Sequence, residues 1–366
     1  MTAVDELAGW GPRGTAGVSF ASALAFDEIE VRLGGRTVLD HFSLALAPGE
    51  IVCLLGESGS GKSTVLRVAA GIQRIDGGSV RINNEIVSGP GVHIPPDRRG
   101  IGLMFQDFAL FPHLTLLENV TFGLKKLGKA AALAQARAAL TRVGLGDREN
   151  DYPHRLSGGQ QQRLALARTI APRPGILMLD EPFSSLDARL RESVRGETLA
   201  VLRETHATTI IVTHDPEEAM VLGDRIALLR KGRIAQIDTA AAIYESPVDL
   251  SAARFLSPLS EIEATVRGGA ASTPLGQVPA PGRAEGDRVI VAIRPVGALD
   301  MSAEGKGVPG RILAKRDAIG FDLCEVRVEG IEQPISIRQR SDRRFVAGCD
   351  VFLRLNPERV LVFAKD

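Results

Sequence analysis

The chain has 366 residues, enough for two domains, and its 44 Lys plus Arg are balanced by 44 Asp plus Glu, so no net field favours nucleic acid or an anionic membrane. Cys53, Cys324 and Cys349 are too widely spaced for a metal-ligand pair and fit free thiols in a reducing compartment. No apolar run reaches the roughly 18 residues that span a bilayer, and the first 26 residues lack the basic start and apolar centre of a secretory signal.

Residues 1–23 are expected to be a disordered leader on a soluble, cytosolic protein. From Phe26 to Leu46, apolar residues alternate loosely through Ile29, Val31 and Leu33, then Phe42, Leu44 and Leu46. That pattern predicts antiparallel strands joined at Gly34 and Gly35. The all-apolar Ile51–Leu55 follows, as in a buried parallel strand. It runs into Gly56-Glu57-Ser58-Gly59-Ser60-Gly61-Lys62-Ser63-Thr64, a full match to the phosphate-loop pattern G-x-x-x-x-G-K-[ST]. Gly56, Gly59 and Gly61 let the backbone N–H groups, including those at Ser58 and Thr64, wrap phosphate oxygens at a helix amino end. Lys62 then holds the outer phosphates, and Ser63 offers its hydroxyl to a magnesium ion.

A short strand at Ser79–Ile82, a loop from Pro90 to Pro96 and an apolar run from Ile101 to Phe105, ending at Gln106, come next. Good helix formers through Val143 predict a helical insertion, about residues 107–172. Its last helix opens with Leu156-Ser157-Gly158-Gly159-Gln160. Ser157 and Gln160 satisfy a capping box, so a well-capped helix start suffices to explain the pattern. The alternative is an anion site on uncovered N–H groups, which a helix end favours by only about 0.3–1 kcal/mol.

Ile176–Leu179 leads into Asp180 and Glu181, a buried strand ending in two carboxylates. Successive strand residues face opposite ways, so the pair divides its work: Asp180 toward magnesium, Glu181 toward an attacking water. Asp187 serves equally as an N-cap or as a functional residue ahead of a long helix through Arg203. Thr209–Thr213 is a further strand, and His214 lies at its carboxyl end, the edge where open α/β sheets bind ligands. Asp215, Pro216 and Glu218 form the N-cap, first-turn proline and capping-box glutamate of the next helix. A hairpin over Arg225–Gln236 closes the sheet. Beyond Ser257-Pro258, short alternating runs between Gly and Pro turns predict a separate β domain, a barrel or sandwich, with residues 268–286 as a flexible loop.

The phosphate loop, Gln106, Leu156–Gln160, Asp180-Glu181, Ser185-Leu186-Asp187 and His214 stand in the order found in the ATP-binding subunits of ABC transporters, and the chain resembles that family from about Phe26 to Phe255. Phe105–Leu114, Glu181–Asp187 and the carboxyl-terminal β region resemble the importer branch, whose regulatory domain is called TOBE. Ala292-Ile293-Arg294-Pro295 is a partial match to it. Pro95-Pro96-Asp97-Arg98-Arg99-Gly100-Ile101-Gly102 most resembles ferric-iron importers, although sulfate, molybdate, polyamine and sugar importers share much of this text.

The resemblance implies an α/β phosphate-loop ATPase with an antiparallel β subdomain and a helical insertion over residues 24–257, followed by a small β-barrel-like domain over 258–366. It implies a homodimer sandwiching two ATP with Mg2+. Ser157, Gly158, Gly159 and Gln160 of one copy would reach the γ-phosphate held by Lys62 of the other. Glu181 would be the general base, His214 the γ-phosphate sensor, Gln106 a link between magnesium, water and the membrane partner, and Asp187 a bridge between copies. It further implies two transmembrane permease subunits, an extracytoplasmic solute-binding protein, no nucleic acid, and a peripheral place on the cytoplasmic face of the inner membrane. Relatives commonly carry an aromatic residue just before Gly34, where this chain has Leu33, and Arg-Pro-Glu where it has Arg294-Pro295-Val296. A soluble ABC ATPase of DNA repair or ribosomes, and a non-catalytic regulatory module, are the alternative readings.

Overall fold

The computed structural model describes residues 10–13, 15–184, 186, 188–305, 307–318 and 320–365, with the side chains of 188–190 outside that set. The chain divides into two compact units, one ending at Ala241 and the other starting at Ala242. That division falls earlier than the change of texture at Ser257-Pro258.

In the first unit, β1 (Leu24–Leu33) and β2 (Arg36–Leu46) pair antiparallel, with Leu33 opposite Arg36. Gly34 and Gly35, both at positive φ, make the two-residue turn that right-twisted strands favour. Strands β4 (Gly77–Ile82), β5 (Glu85–Gly89) and β6 (Val92–His93) extend this sheet in the order β2-β1-β4-β5-β6. Part of the expected Pro90–Pro96 loop is therefore strand: Val92 pairs with Gly89, and His93 with Ser88.

A second, six-stranded sheet has the order β11-β10-β3-β9-β8-β7. Its parallel strands are β3 (Ile51–Leu55), β7 (Ile101–Met104), β8 (Ile176–Asp180), β9 (Thr208–Thr213) and β10 (Arg225–Arg230), and β11 (Arg233–Asp238) closes one edge antiparallel. Every residue of β3, β8 and β9 is buried. This is why β3 and the first four residues of β8 read as continuous apolar runs rather than alternating ones, each large aliphatic side chain contributing about 1.5–3 kcal/mol on burial. Helix α1 (Lys62–Ala70) follows β3. The insertion carries α2 (Leu116–Thr121), α3 (Lys129–Arg142) and α4 (Gly158–Ile170). Helices α5 (Ala188–Thr205) and α6 (Pro216–Leu222) follow β8 and β9. Among the described residues no helix is long and apolar enough to cross a membrane.

The expected disordered leader is, over its described residues from Trp10 onward, packed chain. Gly11 N donates to Arg142 O at 3.0 Å, Ser19 N to Thr205 O at 2.8 Å and Ser22 N to Gly175 O at 3.2 Å. The Trp10 ring lies 6.0 Å from the Arg142 guanidinium and 5.5 Å from that of Arg163. Arg142 is fully buried, and Glu204 accepts from its Nε at 2.9 Å and its Nη2 at 2.7 Å. Replacing Glu204 by Ala leaves that buried guanidinium only the longer carboxylate contact, to Glu197 at 3.7 Å, and is expected to cost up to about 3 kcal/mol. Denaturant unfolding would show this as a lower midpoint, whereas an unchanged midpoint would contradict it.

In the second unit two five-stranded sheets share one apolar core, which includes Val266, Val291, Ile293, Val326, Ile337 and Leu353. One sheet contains β12 (Ser260–Arg267), β13 (Ala270–Thr273), β14 (Gly276–Pro279), β15 (Arg288–Ile293) and β21 (Leu361–Ala364). The other contains β16 (Leu299–Ser302), β17 (Val308–Ala318), β18 (Phe321–Val328), β19 (Ile335–Arg340) and β20 (Asp350–Leu355). The expected barrel-like domain is present. Residues 268–286, by contrast, are not a flexible loop: β13 and β14 form a hairpin that buries Ala271 and Val278 in the core. Cys53, Cys324 and Cys349 are free thiols.

Candidate functional site

The site is built at the carboxyl ends of β3, β8 and β9, which lie side by side. After β3 the chain must turn into α1 within a few residues, and glycine makes that possible. Gly61 adopts φ 108 at the cap of α1, and a Cβ there would come within 2.9 Å of Leu39 Cδ2 and Val38 O. A Cβ at Gly56 would come within 2.4 Å of Leu229 O. Inside this loop Lys62 is buried, its ammonium donating to Gly56 O at 2.8 Å and Glu57 O at 2.9 Å. Burial pulls its pKa down, while Glu181 and Asp180 oppose that pull.

Ser63 Oγ donates to Asp180 Oδ1 at 3.1 Å. The phosphate loop and the last residue of β8 thus meet, presenting a hydroxyl and a carboxylate side by side. These are hard oxygen donors, the set that suits a small divalent cation. Burial pushes the Asp180 carboxyl above its ordinary range, the Ser63 hydrogen bond opposes this and Glu181 adds to it. A cation between these groups would relieve both effects.

Glu181 leaves the strand at φ 44, a left-handed conformation uncommon for a residue with a side chain. Its N–H still reaches Val212 O on β9 at 3.0 Å, and its carbonyl accepts from Ser184 N at 3.2 Å and Ser184 Oγ at 3.0 Å. His214 Nδ1 lies 3.1 Å from Glu181 Oε2, and Gln106 Nε2 lies 3.5 Å from the same oxygen. Three residues far apart in sequence therefore meet on one carboxylate.

The amino end of α4 belongs to the helical insertion. The capping box is complete: Gln160 N donates to Ser157 Oγ at 3.4 Å, and Ser157 N to Gln160 Oε1 at 3.1 Å. Gln160 is buried, and its Oε1 also accepts from Arg148 Nη1 at 2.8 Å. Its side chain is committed inward, so an incoming phosphate would meet the exposed Ser157 and Gly158. Gly158 has open space where a Cβ would stand. Asp187 lies outside the described residues. Leu33, at the hairpin tip, is 41% exposed.

Sequence reasoning missed the support behind His214. Asp215 caps α6 as expected, but Glu218 does not complete a capping box. Its Oε2 accepts instead from Thr213 Oγ1 at 2.6 Å, and Thr213 Oγ1 accepts from Asp215 N at 3.0 Å. Burial pushes the Glu218 carboxyl up, against the Thr213 hydrogen bond. Only the position of Glu218 in the first turn signalled it.

A family model described as ABC transporter matches residues 39–184. An Fe(3+) ions import ATP-binding protein, FbpC of Streptomyces coelicolor, is 44% identical over 77% of this chain and 81% of its own length. The sulfate/thiosulfate import ATP-binding protein CysA of Mycolicibacterium paratuberculosis is 41% identical over 81% of this chain and 77% of its own. The dimeric structure of the ABC transporter cassette MJ0796 superposes with a TM-score of 0.53 at 30% identity, covering 59% of this chain and 98% of that one. A dimeric post-hydrolysis state of the same cassette with ADP and Pi gives 0.51. The chain belongs to the ATP-binding subunits of ABC importers, and its enzymatic activity is ATP hydrolysis.

Proposed function

We propose that two copies of this chain close on two ATP molecules, that the closure drives a pair of transmembrane permease subunits, and that hydrolysis reopens the clamp to power solute import. The observation that carries the hydrolytic part is Glu181, whose carboxylate is held by His214 at 3.1 Å and Gln106 at 3.5 Å beside the Ser63–Asp180 pair. Ser63, Asp180 and Gln106 are the residues that would hold Mg2+, which when bound neutralises charge on the β- and γ-phosphate oxygens. Lys62 and the loop N–H groups fix the polyphosphate. Glu181 takes a proton from a water whose oxygen attacks the γ-phosphorus, and the bond to the β–γ bridging oxygen breaks to give ADP and phosphate. His214 and Gln106 keep the carboxylate aimed at that water. In the partner copy, Gly158 and Gly159 would present N–H groups and Ser157 its hydroxyl to the γ-phosphate, with Gln160 locking the helix end that carries them by holding the Ser157 N–H. Asp187 would join the two copies.

Ferric iron is the solute class this reading favours, because the Fe(3+) importer relative matches at 44% identity across most of both chains. A sulfate/thiosulfate importer relative matches at 41% identity over 81% of this chain and 77% of its own length, and a spermidine/putrescine importer at 43% over 63% of its own length; they provide the second reading. The protein would sit on the cytoplasmic face of the inner membrane with an extracytoplasmic solute-binding protein as an indirect partner. Its second unit would be a TOBE-like regulatory domain. Deleting the gene and following uptake of labelled ferric iron, sulfate and spermidine tests the assignment. Loss of ferric uptake alone is the expected result; loss of sulfate or spermidine uptake with iron uptake intact would overturn it.

A further inference from the structure

Glu181 and His214 are the first residues beyond neighbouring strands, so their 3.1 Å contact bridges two separate loops. The backbone bond from Glu181 N to Val212 O fixes only the start of the first loop. A side chain from α5 reaches both. Arg191 Nη2 donates to Leu186 O at 3.0 Å, in the loop after Glu181, and Arg191 Nη1 lies 3.9 Å from Asp215 Oδ2, in the residue after His214. Asp215 divides its carboxylate: Oδ1 caps α6 through Glu217 N at 2.8 Å and Glu218 N at 3.4 Å, leaving Oδ2 toward Arg191. Glu181, Ser184, Arg191, Thr213, His214, Asp215 and Glu218 line one cavity of about 50 Å³. Arg191 Nε is buried there without a hydrogen-bond partner. The guanidinium is thus a cation bordering the same small space as three carboxylates.

We propose that Arg191 is a positioning residue for hydrolysis, tying the loop that follows Glu181 to the loop that carries His214. Helix α5 is a stiff mount for it, being anchored at its far end by Arg203 on Asp224 at 2.6 Å and by Glu204 on Arg142 at 2.7 Å. Without the guanidinium, the Leu186 carbonyl loses its donor at 3.0 Å and the Asp215 carboxylate its ion-pair partner at 3.9 Å, and the two loops can slide past each other. A general base must stay within hydrogen-bond reach of its proton, and a displacement of about 1 Å costs up to roughly a hundredfold in rate. Arg191 makes no contact with Lys62 or the phosphate loop among the interactions described, so ATP capture is untouched.

This inference rests on Glu181 and His214 acting as the catalytic pair. The test compares full-length wild type with Arg191→Gln, Arg191→Lys and Glu181→Gln, measuring ATPase kcat and KM, titration with a fluorescent ATP analogue, and thermal midpoint. Arg191→Gln is expected to lower kcat at least about tenfold with KM and analogue affinity within about threefold. Arg191→Lys should recover part of kcat, since an ammonium keeps one of the two contacts. A kcat within twofold of wild type would overturn the proposal. So would an affinity and midpoint that fall in step with kcat, with Lys no better than Gln. Full activity in Glu181→Gln would sink the catalytic pair itself, whereas an inactive Glu181→Gln beside an unaffected Arg191→Gln sinks only the role of Arg191.

Discussion

Replacing Glu181 with Gln is expected to abolish sustained ATP turnover while leaving ATP binding in place. The amide matches the carboxylate in size, so the bend at φ 44 and the Ser184 contacts to the Glu181 carbonyl are retained. What disappears is the basic oxygen shared by His214 and Gln106. General-base catalysis contributes about 10²–10⁴ in rate, so phosphate release should fall by at least two orders of magnitude. Binding depends on other groups, namely Lys62, the loop amides and the Ser63–Asp180 pair, none of which the substitution removes. Equal rates of phosphate release in the variant and wild type would show that Glu181 is not the base.

Lys62→Ala should fail one step earlier. The ammonium is buried in the loop on Gly56 O and Glu57 O, where it would meet the outer phosphates. Hydrogen bonds to charged groups contribute about 1.5–3 kcal/mol. Their loss should weaken ATP affinity roughly 10–150-fold and carry hydrolysis down with it. Of the two loop carbonyls that Lys62 satisfies, that of Glu57 lies on an exposed residue and that of Gly56 on a buried one. Calorimetric titration of ATP into the variant measures this directly. An unchanged affinity would place the polyphosphate somewhere other than this loop.

The parts of this molecule legible in its sequence are those governed by local rules. Ile51–Leu55 and Ile176–Leu179 announce buried parallel strands because both of their faces are covered. The phosphate loop is legible because few sequences besides a glycine-rich one allow Gly61 its φ of 108 against Leu39 and Val38. Ser157 and Gln160 announced their capping box because its two hydrogen bonds span only three residues. The roles of Gln106, Glu181 and His214 followed from the family resemblance, but their meeting on one carboxylate was not legible, since no local pattern joins residues so far apart.

What escaped was set by tertiary contacts. The segment from Trp10 onward carries no periodic apolar pattern, and much of what holds it is backbone bonding to Arg142, Thr205 and Gly175. The Gly, Ala and Pro of residues 268–286 disguised a hairpin that contributes only four buried side chains to the core, Ala271, Leu275, Val278 and Ala280. Glu218 followed its capping pattern in spacing but was drawn to Thr213, a hydroxyl on the neighbouring strand end. Arg191 was silent in the sequence, because both of its partners lie on loops that meet it only in the folded chain.

In the proposed clamp one chain holds half of each ATP site. Light scattering on the full-length Glu181→Gln protein, with and without magnesium and ATP, tests it most directly. The mass of a single chain is expected without nucleotide and that of two chains with magnesium and ATP. A single-chain mass at saturating ATP would contradict it, as would a two-chain mass indifferent to nucleotide.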